Sequence, residues 1–107
     1  MPLPTRYFVY IRFREPLTPS RIKVSTEMAL KTLRKLAMSE TDFTLAFSSR
    51  DAGTFGCLIK TTDFAGGIRN KLNECGELAA EKILVLELGK DSASLGLGNP
   101  QRWLDHH

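Results

Sequence analysis

The stretch Phe43–Thr61, FTLAFSSRDAGTFGCLIKT, decides the predicted fold. Apolar residues alternate with small or polar residues on both sides of its middle, and this period-two pattern predicts two β-strands. Between them lies Arg50-Asp51-Ala52-Gly53, in which aspartate and glycine favour a tight turn. The stretch is therefore predicted to be a β-hairpin.

Upstream of the hairpin, the sequence predicts a strand followed by a helix. Over Arg6–Arg14, every second residue from Tyr7 to Phe13 is apolar, which predicts a strand that Pro16 and Pro19 then end. From about Ser20 to Met38, apolar residues recur on one helical stripe and basic residues lie opposite. This segment is predicted to be an amphipathic helix, capped by Thr18 or Ser20.

Downstream of the hairpin, the same order recurs. Phe64, Ile68 and Leu72 are spaced by four residues and predict a second helix, and the apolar run Ile83–Leu88 predicts a fourth strand. The order β-α-β-β-α-β is typical of a ferredoxin-like α+β fold, with a four-stranded antiparallel sheet and both helices on one face. Residues 1–90 are predicted to form this domain. Residues 91–107 are predicted to be an irregular C-terminal tail that docks on a partner subunit.

Composition indicates one ordinary globular domain. The 107 residues are 42% hydrophobic and 25% charged, which excludes a disordered or collagen-like chain. Cys57 and Cys75 lack metal-ligand spacing and are expected to be reduced, buried thiols of a cytoplasmic protein. The first residues lack the features of a signal peptide, and no apolar run is long enough to cross a membrane.

Basic residues are concentrated in the first part of the chain. Residues 1–38 contain eight Lys or Arg and two acidic residues, whereas residues 39–107 contain seven basic and ten acidic residues. Such asymmetry is found in proteins that bind anionic partners, although a solvated helix face also explains it. The candidate nucleic-acid-binding residues are Arg12, Arg14, Lys23, Lys31, Arg34 and Lys35.

The second face of the sheet is the other candidate surface. If Tyr7 and its alternating partners face the helices, Phe8 and Tyr10 face outward, where aromatic side chains either stack bases or form a protein interface. Strand four is apolar on both faces apart from Glu87, which favours a covered sheet and therefore dimerisation. The predicted dimer interface consists of Phe8, Tyr10, Leu84, Leu86 and Trp103.

No catalytic, metal or cofactor site is predicted. Metal-dependent nucleases need clustered carboxylates, and the acids here are scattered along the chain at Asp42, Asp51, Asp63, Glu87 and Asp91. Asp51 is expected to form a turn and Asp63 to cap a helix. The sequence contains no Walker loop, no G-x-S-x-G elbow and no H-E-x-x-H motif.

Three segments together resemble a known group of proteins. They are Gly53–Thr62 (GTFGCLIKTT), Ile68–Leu72 (IRNKL) and Glu81–Gly89 (EKILVLELG). Their pattern resembles small bacterial proteins with the fold of the CRISPR-associated spacer-acquisition subunit and of VapD-type toxins. The resemblance implies a homodimer with facing sheets, in which the C-terminal segment crosses to the partner. Nuclease members have an aspartate at the end of strand one, whereas this chain has Tyr10–Arg14 (YIRFR) there, which argues against nuclease activity.

Three functions are consistent with these observations. The first is a non-enzymatic cytoplasmic homodimer that associates with nucleic acid. The second is a metal-dependent endonuclease of the same fold. The third is a small-molecule-sensing regulatory module, in which Gly53 and Gly66-Gly67 admit a ligand near a dimer interface.

Overall fold

The computed structural model describes residues 3–75, 80–89 and 98–107. The strands are β1 (Thr5–Phe13), β2 (Phe43–Ser48), β3 (Thr54–Thr61) and β4 (Ala80–Glu87). The helices are α1 (Pro19–Leu36), α2 (Ala65–Asn73) and α3 (Gly98–His106), and a short 3-10 helix spans Glu40–Asp42. The elements before α3 follow the predicted β-α-β-β-α-β order.

The four strands form one sheet in the order β2-β3-β1-β4. β1 is central and pairs antiparallel with β3 and with β4, and β2 pairs antiparallel with β3. The predicted α+β class and four-stranded antiparallel sheet are confirmed. The strand order is compatible with a ferredoxin-like domain.

The core lies between one face of the sheet and helices α1 and α2. The alternate residues of β1 that were predicted to face the helices are all buried, as are the inward side chains of β3. Helix α1 contributes Ala29 and Leu33 to this core, and α2 contributes Ile68 and Leu72. Burial of these apolar surfaces is the main source of stability, because it removes them from water.

Helix α1 begins as the sequence predicts. The Thr18 hydroxyl accepts a hydrogen bond from the Arg21 backbone N–H at 3.4 Å, and Pro19 occupies the first helical turn, where its missing N–H costs nothing. Asp63 precedes α2, and its carboxylate accepts the N–H of Phe64 at 2.9 Å. The prediction of Thr18 as a cap is confirmed, whereas the N-cap position of α2 is Phe64, and neither Thr62 nor Asp63, the two predicted caps, occupies it.

The end of the chain differs from the predicted irregular tail. Gly98–His106 form helix α3, with Pro100 and Trp103 on its buried side, whereas residues 91–97 of the predicted tail lie outside the described residues. The helix has only nine residues, and they include a glycine and a proline. Its apolar periodicity is therefore too short to be recognised in the sequence. In the described parts of the chain, we find no helix with the length and apolar character needed to cross a membrane.

Candidate functional site: the open face of the sheet

The sheet face that points away from α1 and α2, here called the open face, displays an apolar patch. Phe8 lies opposite Leu86 and Tyr10 lies opposite Leu84 in the β1–β4 register. Each of the two leucine residues is 48% exposed. The register of β1 against β4 therefore makes four of the five predicted interface residues neighbours.

Phe47 joins this apolar patch, although it was not predicted to. The register of β2 against β3 shifts between Leu45 and Phe47, so that Leu45 lies opposite Cys57 and Phe47 opposite Gly56. Such a shift moves the following side chain to the other face of a sheet. The ring of Phe47 then stacks on Phe8, with centroids 6.2 Å apart and planes 25° apart. The simple alternation of the sequence contains no sign of this irregularity.

Trp103, the fifth predicted interface residue, is buried by its own chain. Its exposed fraction is 7%, and its indole Nε1 donates to the backbone oxygen of Thr41 at 2.8 Å. The ring of His107 stacks on it, with centroids 4.6 Å apart. Trp103 thus fixes α3 beside the start of β2 and is not part of the exposed patch. Docking of residues 91–107 on a partner subunit stays a prediction.

Arg12 lies at the end of the open face where β1 ends, and it is held by acidic neighbours. Its guanidinium is 3.3 Å from an Asp51 carboxylate oxygen and 3.5 Å from a Glu15 oxygen, and it donates to Thr54 Oγ1 at 3.0 Å. The positive charge of Arg12 is therefore countered within the chain. This pairing makes it less available to a phosphate than the sequence suggested.

Asp51 organises the turn between β2 and β3. Its carboxylate accepts hydrogen bonds from Ser49 Oγ at 2.6 Å and from the Gly53 N–H at 2.9 Å. The Ser49 bond, followed by the Gly53 bond and then by Arg12, lowers the pKa of Asp51 to about 2. The predicted role of Asp51 as a turn residue agrees with these contacts.

Most of the predicted basic residues lie on helix α1, which covers the opposite face of the sheet. Lys23, Lys31, Arg34 and Lys35 are exposed along α1, because Ala29 and Leu33 direct the opposite side of that helix into the core. The guanidinium carbon of Arg34 is 5.7 Å from the centroid of the Phe43 ring. Arg14 is exposed just beyond β1. The structure therefore separates Arg12, on the open face, from the four basic residues of α1.

The described residues contain no group of three or more His, Cys, Asp or Glu side chains arranged to hold a metal ion. Asp63 instead pairs with Lys71 at 2.6 Å. Cys57 is buried, and burial raises the pKa of its thiol to about 12, which disfavours the reactive thiolate. Asp91 lies outside the described residues.

The glycine residues considered for ligand binding differ in their surroundings. A Cβ atom at Gly53 would meet Leu17 and Arg12, and one at Gly67 would meet Asp63. A Cβ atom at Gly66 would have no described atom within 4 Å. The first two positions are filled by the chain's own side chains.

Comparison with known proteins assigns the chain to no family. No protein-family model matches the chain, and no curated protein matches it. A solved structure of a Bacteroides thetaiotaomicron protein of unknown function, described as a possible oxidoreductase, is 14% identical, with a TM-score of 0.43 over 82% of this chain and 100% of that one. An Arabidopsis thaliana protein is also 14% identical, with a TM-score of 0.39 over 86% of this chain and 100% of the other. The resemblance to the CRISPR-associated and VapD-type proteins stays a prediction.

Proposed function

We propose that this protein is a cytoplasmic homodimeric binding protein whose subunits pack through the open faces of their sheets. The observation that carries the proposal is the apolar patch, in which Leu84 and Leu86 are half exposed beside Phe8 and Tyr10. Contiguous exposed apolar surface on a soluble domain marks an interaction site. Two sheets that pack face to face bury such side chains between them.

The apolar centre of the patch favours a second copy as the occupant. A two-fold interface brings the same surface of both copies together, so an uncompensated charge within it repels its symmetry mate or a neighbouring like charge. Arg12, beside the patch, is already paired with Asp51 and Glu15. The centre of the patch consists of aromatic and aliphatic side chains. These can pack against the same side chains of a second copy without an electrostatic cost.

The first test is to place a charge in the patch. We expect wild-type protein at micromolar concentrations to have twice the 12.0 kDa mass of the chain in sedimentation and light-scattering measurements. Leu86→Glu buries an unpaired carboxylate in the proposed interface, which costs about 3–5 kcal/mol and weakens the dimer more than about a hundredfold. The variant is expected to be a folded monomer, since Leu86 is half exposed in the single chain.

Val24→Glu is the matched control. Val24 is 44% exposed on α1, a similar fraction to Leu86. The same apolar-to-acidic change is thus made on a helix that lies outside the proposed interface. This variant is expected to remain dimeric. A monomeric wild type, or equal dissociation of both variants, contradicts the proposal.

A second proposed function is association with nucleic acid through the basic face of α1. No ion pair between Lys23, Lys31 or Lys35 and another described residue is found, so these charges are open to phosphate oxygens. In the proposed dimer, α1 lies on the outside of each subunit, away from the paired sheets. Phosphate contacts of this kind supply salt-dependent affinity without sequence specificity.

Fluorescence anisotropy with a labelled single-stranded RNA tests this second function at low and at physiological salt. Lys31→Ala/Lys35→Ala is expected to weaken binding and to reduce the slope of log affinity against log salt by about 0.7 for each lost contact. Lys82→Ala, which removes one positive charge from β4, is the control and is expected to bind nearly as the wild type does. If the double variant keeps the wild-type affinity and slope, α1 is not the binding surface.

A further inference from the structure

A cavity of about 480 Å³ lies at the end of the open face where β1 begins, between the sheet and α3. This volume is within the range of small-molecule sites. Its walls come from the start of β1, the end of β3, the segment after β4 and the last turn of α3. The lining residues are Pro4, Thr5, Arg6, Lys60, Leu88, Gly89, Leu104 and His107.

Two cationic side chains line this cavity. Arg6 and Lys60 lie directly opposite each other in the β1–β3 register and are both half-buried. Like charges at directly opposed positions of an antiparallel pair are destabilising. None of the described lining residues has an acidic side chain, although Lys60 Nζ already contacts a main-chain oxygen of His107. An anion between the two side chains would relieve their mutual repulsion.

The surrounding main chain orients these cations and leaves donors unused. Arg6 donates to the backbone oxygen of Leu104 at 2.9 Å and to that of Gly89, and Lys60 Nζ is 3.4 Å from the main-chain oxygen of His107. A guanidinium has five N–H donors and an ammonium three, so these bonds with described residues use only part of the set. The remaining donors can bind the two oxygens of a carboxylate.

The cavity also has an apolar part, formed by Pro4, Leu88 and Leu104. His107 closes one side, with its ring fixed by Trp103 and its Nε2 atom 3.5 Å from Asp42 Oδ1. We propose that this cavity binds a small organic carboxylate, whose charged group lies between Arg6 and Lys60 and whose apolar body contacts Leu88 and Leu104. The site is built within one chain, so the proposal does not depend on dimerisation.

Benzoate is a suitable probe, because it combines a carboxylate with an apolar ring, and benzyl alcohol is its uncharged counterpart. Titration of the full chain at low salt, followed by two-dimensional NMR of backbone amides, is expected to give saturable shifts centred on Arg6, Lys60 and Leu104. Benzyl alcohol is expected to give no saturable shift at these residues. Shifts confined to the Leu84 and Leu86 region would mean that the ring binds the apolar patch, and they would overturn the proposal.

Variants of Lys60 test the charge itself. Lys60→Gln is expected to weaken benzoate binding about tenfold, as loss of a charge-assisted hydrogen bond does, whereas Lys60→Arg keeps the charge and is expected to retain binding. Lys82→Gln is the matched control at the far end of the open face. Equal affinity in wild type and Lys60→Gln would overturn the proposal. If Lys60→Gln does not fold, the test is the comparison of benzoate with benzyl alcohol on the wild type. Equal amide shifts with both compounds would exclude a carboxylate site.

Discussion

At the scale of single residues, Gly56 determines how the aromatic part of the apolar patch is arranged. A Cβ atom at this position would overlap the Phe47 ring and would approach Cε2 of Phe8 to 2.9 Å. The glycine therefore provides the space in which the two rings stack across β3. A strand glycine ordinarily weakens a sheet, and here the aromatic contact offsets that loss.

Gly56→Ala is expected to destabilise the protein by about 1–3 kcal/mol, because the added methyl group displaces the stacked rings. Urea unfolding measures the change in the free energy of unfolding. Gly66→Ala is the control: nothing described lies near the added methyl group, and alanine favours a helix over glycine by about 1 kcal/mol, so this variant is expected to be more stable than the wild type. Equal effects of the two substitutions would show that the space at Gly56 is not needed.

At the scale of secondary-structure elements, α3 is held largely by one side chain. The Trp103 indole buries its apolar surface beside β2, and its N–H satisfies the backbone oxygen of Thr41. Arg6 and Lys60 add bonds to main-chain oxygens at the C-terminal end of α3, where cations are favourable. A nine-residue helix is marginal by itself, so these contacts are what order it.

Trp103→Ala is expected to lower the free energy of unfolding by about 3–5 kcal/mol, the usual cost of removing a large buried aromatic side chain. Urea unfolding followed by far-ultraviolet circular dichroism measures it. The neighbouring Arg102 is exposed on the same helix, and Arg102→Ala is expected to change stability by less than about 0.5 kcal/mol. Similar stabilities for the two variants would argue against the docking of α3 through Trp103.

At the scale of the whole molecule, the sequence predicted the sheet well because inward and outward positions alternate regularly along its central strand β1. The buried positions of β1 follow from period two alone, whereas the pairing of Phe8 and Tyr10 with leucine residues of β4 is given by the register of the two strands. The position of Phe47 did not follow, because a local shift in register cancels the alternation there. The burial of Trp103 and the pairing of Arg12 with Asp51 depend on contacts between distant segments, which the sequence pattern does not contain.

The sequence pattern also does not predict the cavity at Arg6 and Lys60. The two residues are far apart in the chain, and only the β1–β3 register brings them together. The sequence contains one weak indication of this cavity, because both basic residues occupy open-face positions of strands that were predicted correctly. The enclosing wall comes from α3, which the sequence did not predict to be a helix.

The position of β4 at the edge of the sheet has a consequence for aggregation. An edge strand exposes backbone groups that can pair with strands of other molecules, and β4 carries exposed charges at Glu81, Lys82 and Glu87. Charged side chains hinder open-ended strand addition, which would otherwise lead toward fibrils. The same strand therefore discourages polymerisation along its edge, while in the proposed dimer its leucine residues make a closed, two-copy contact through its face.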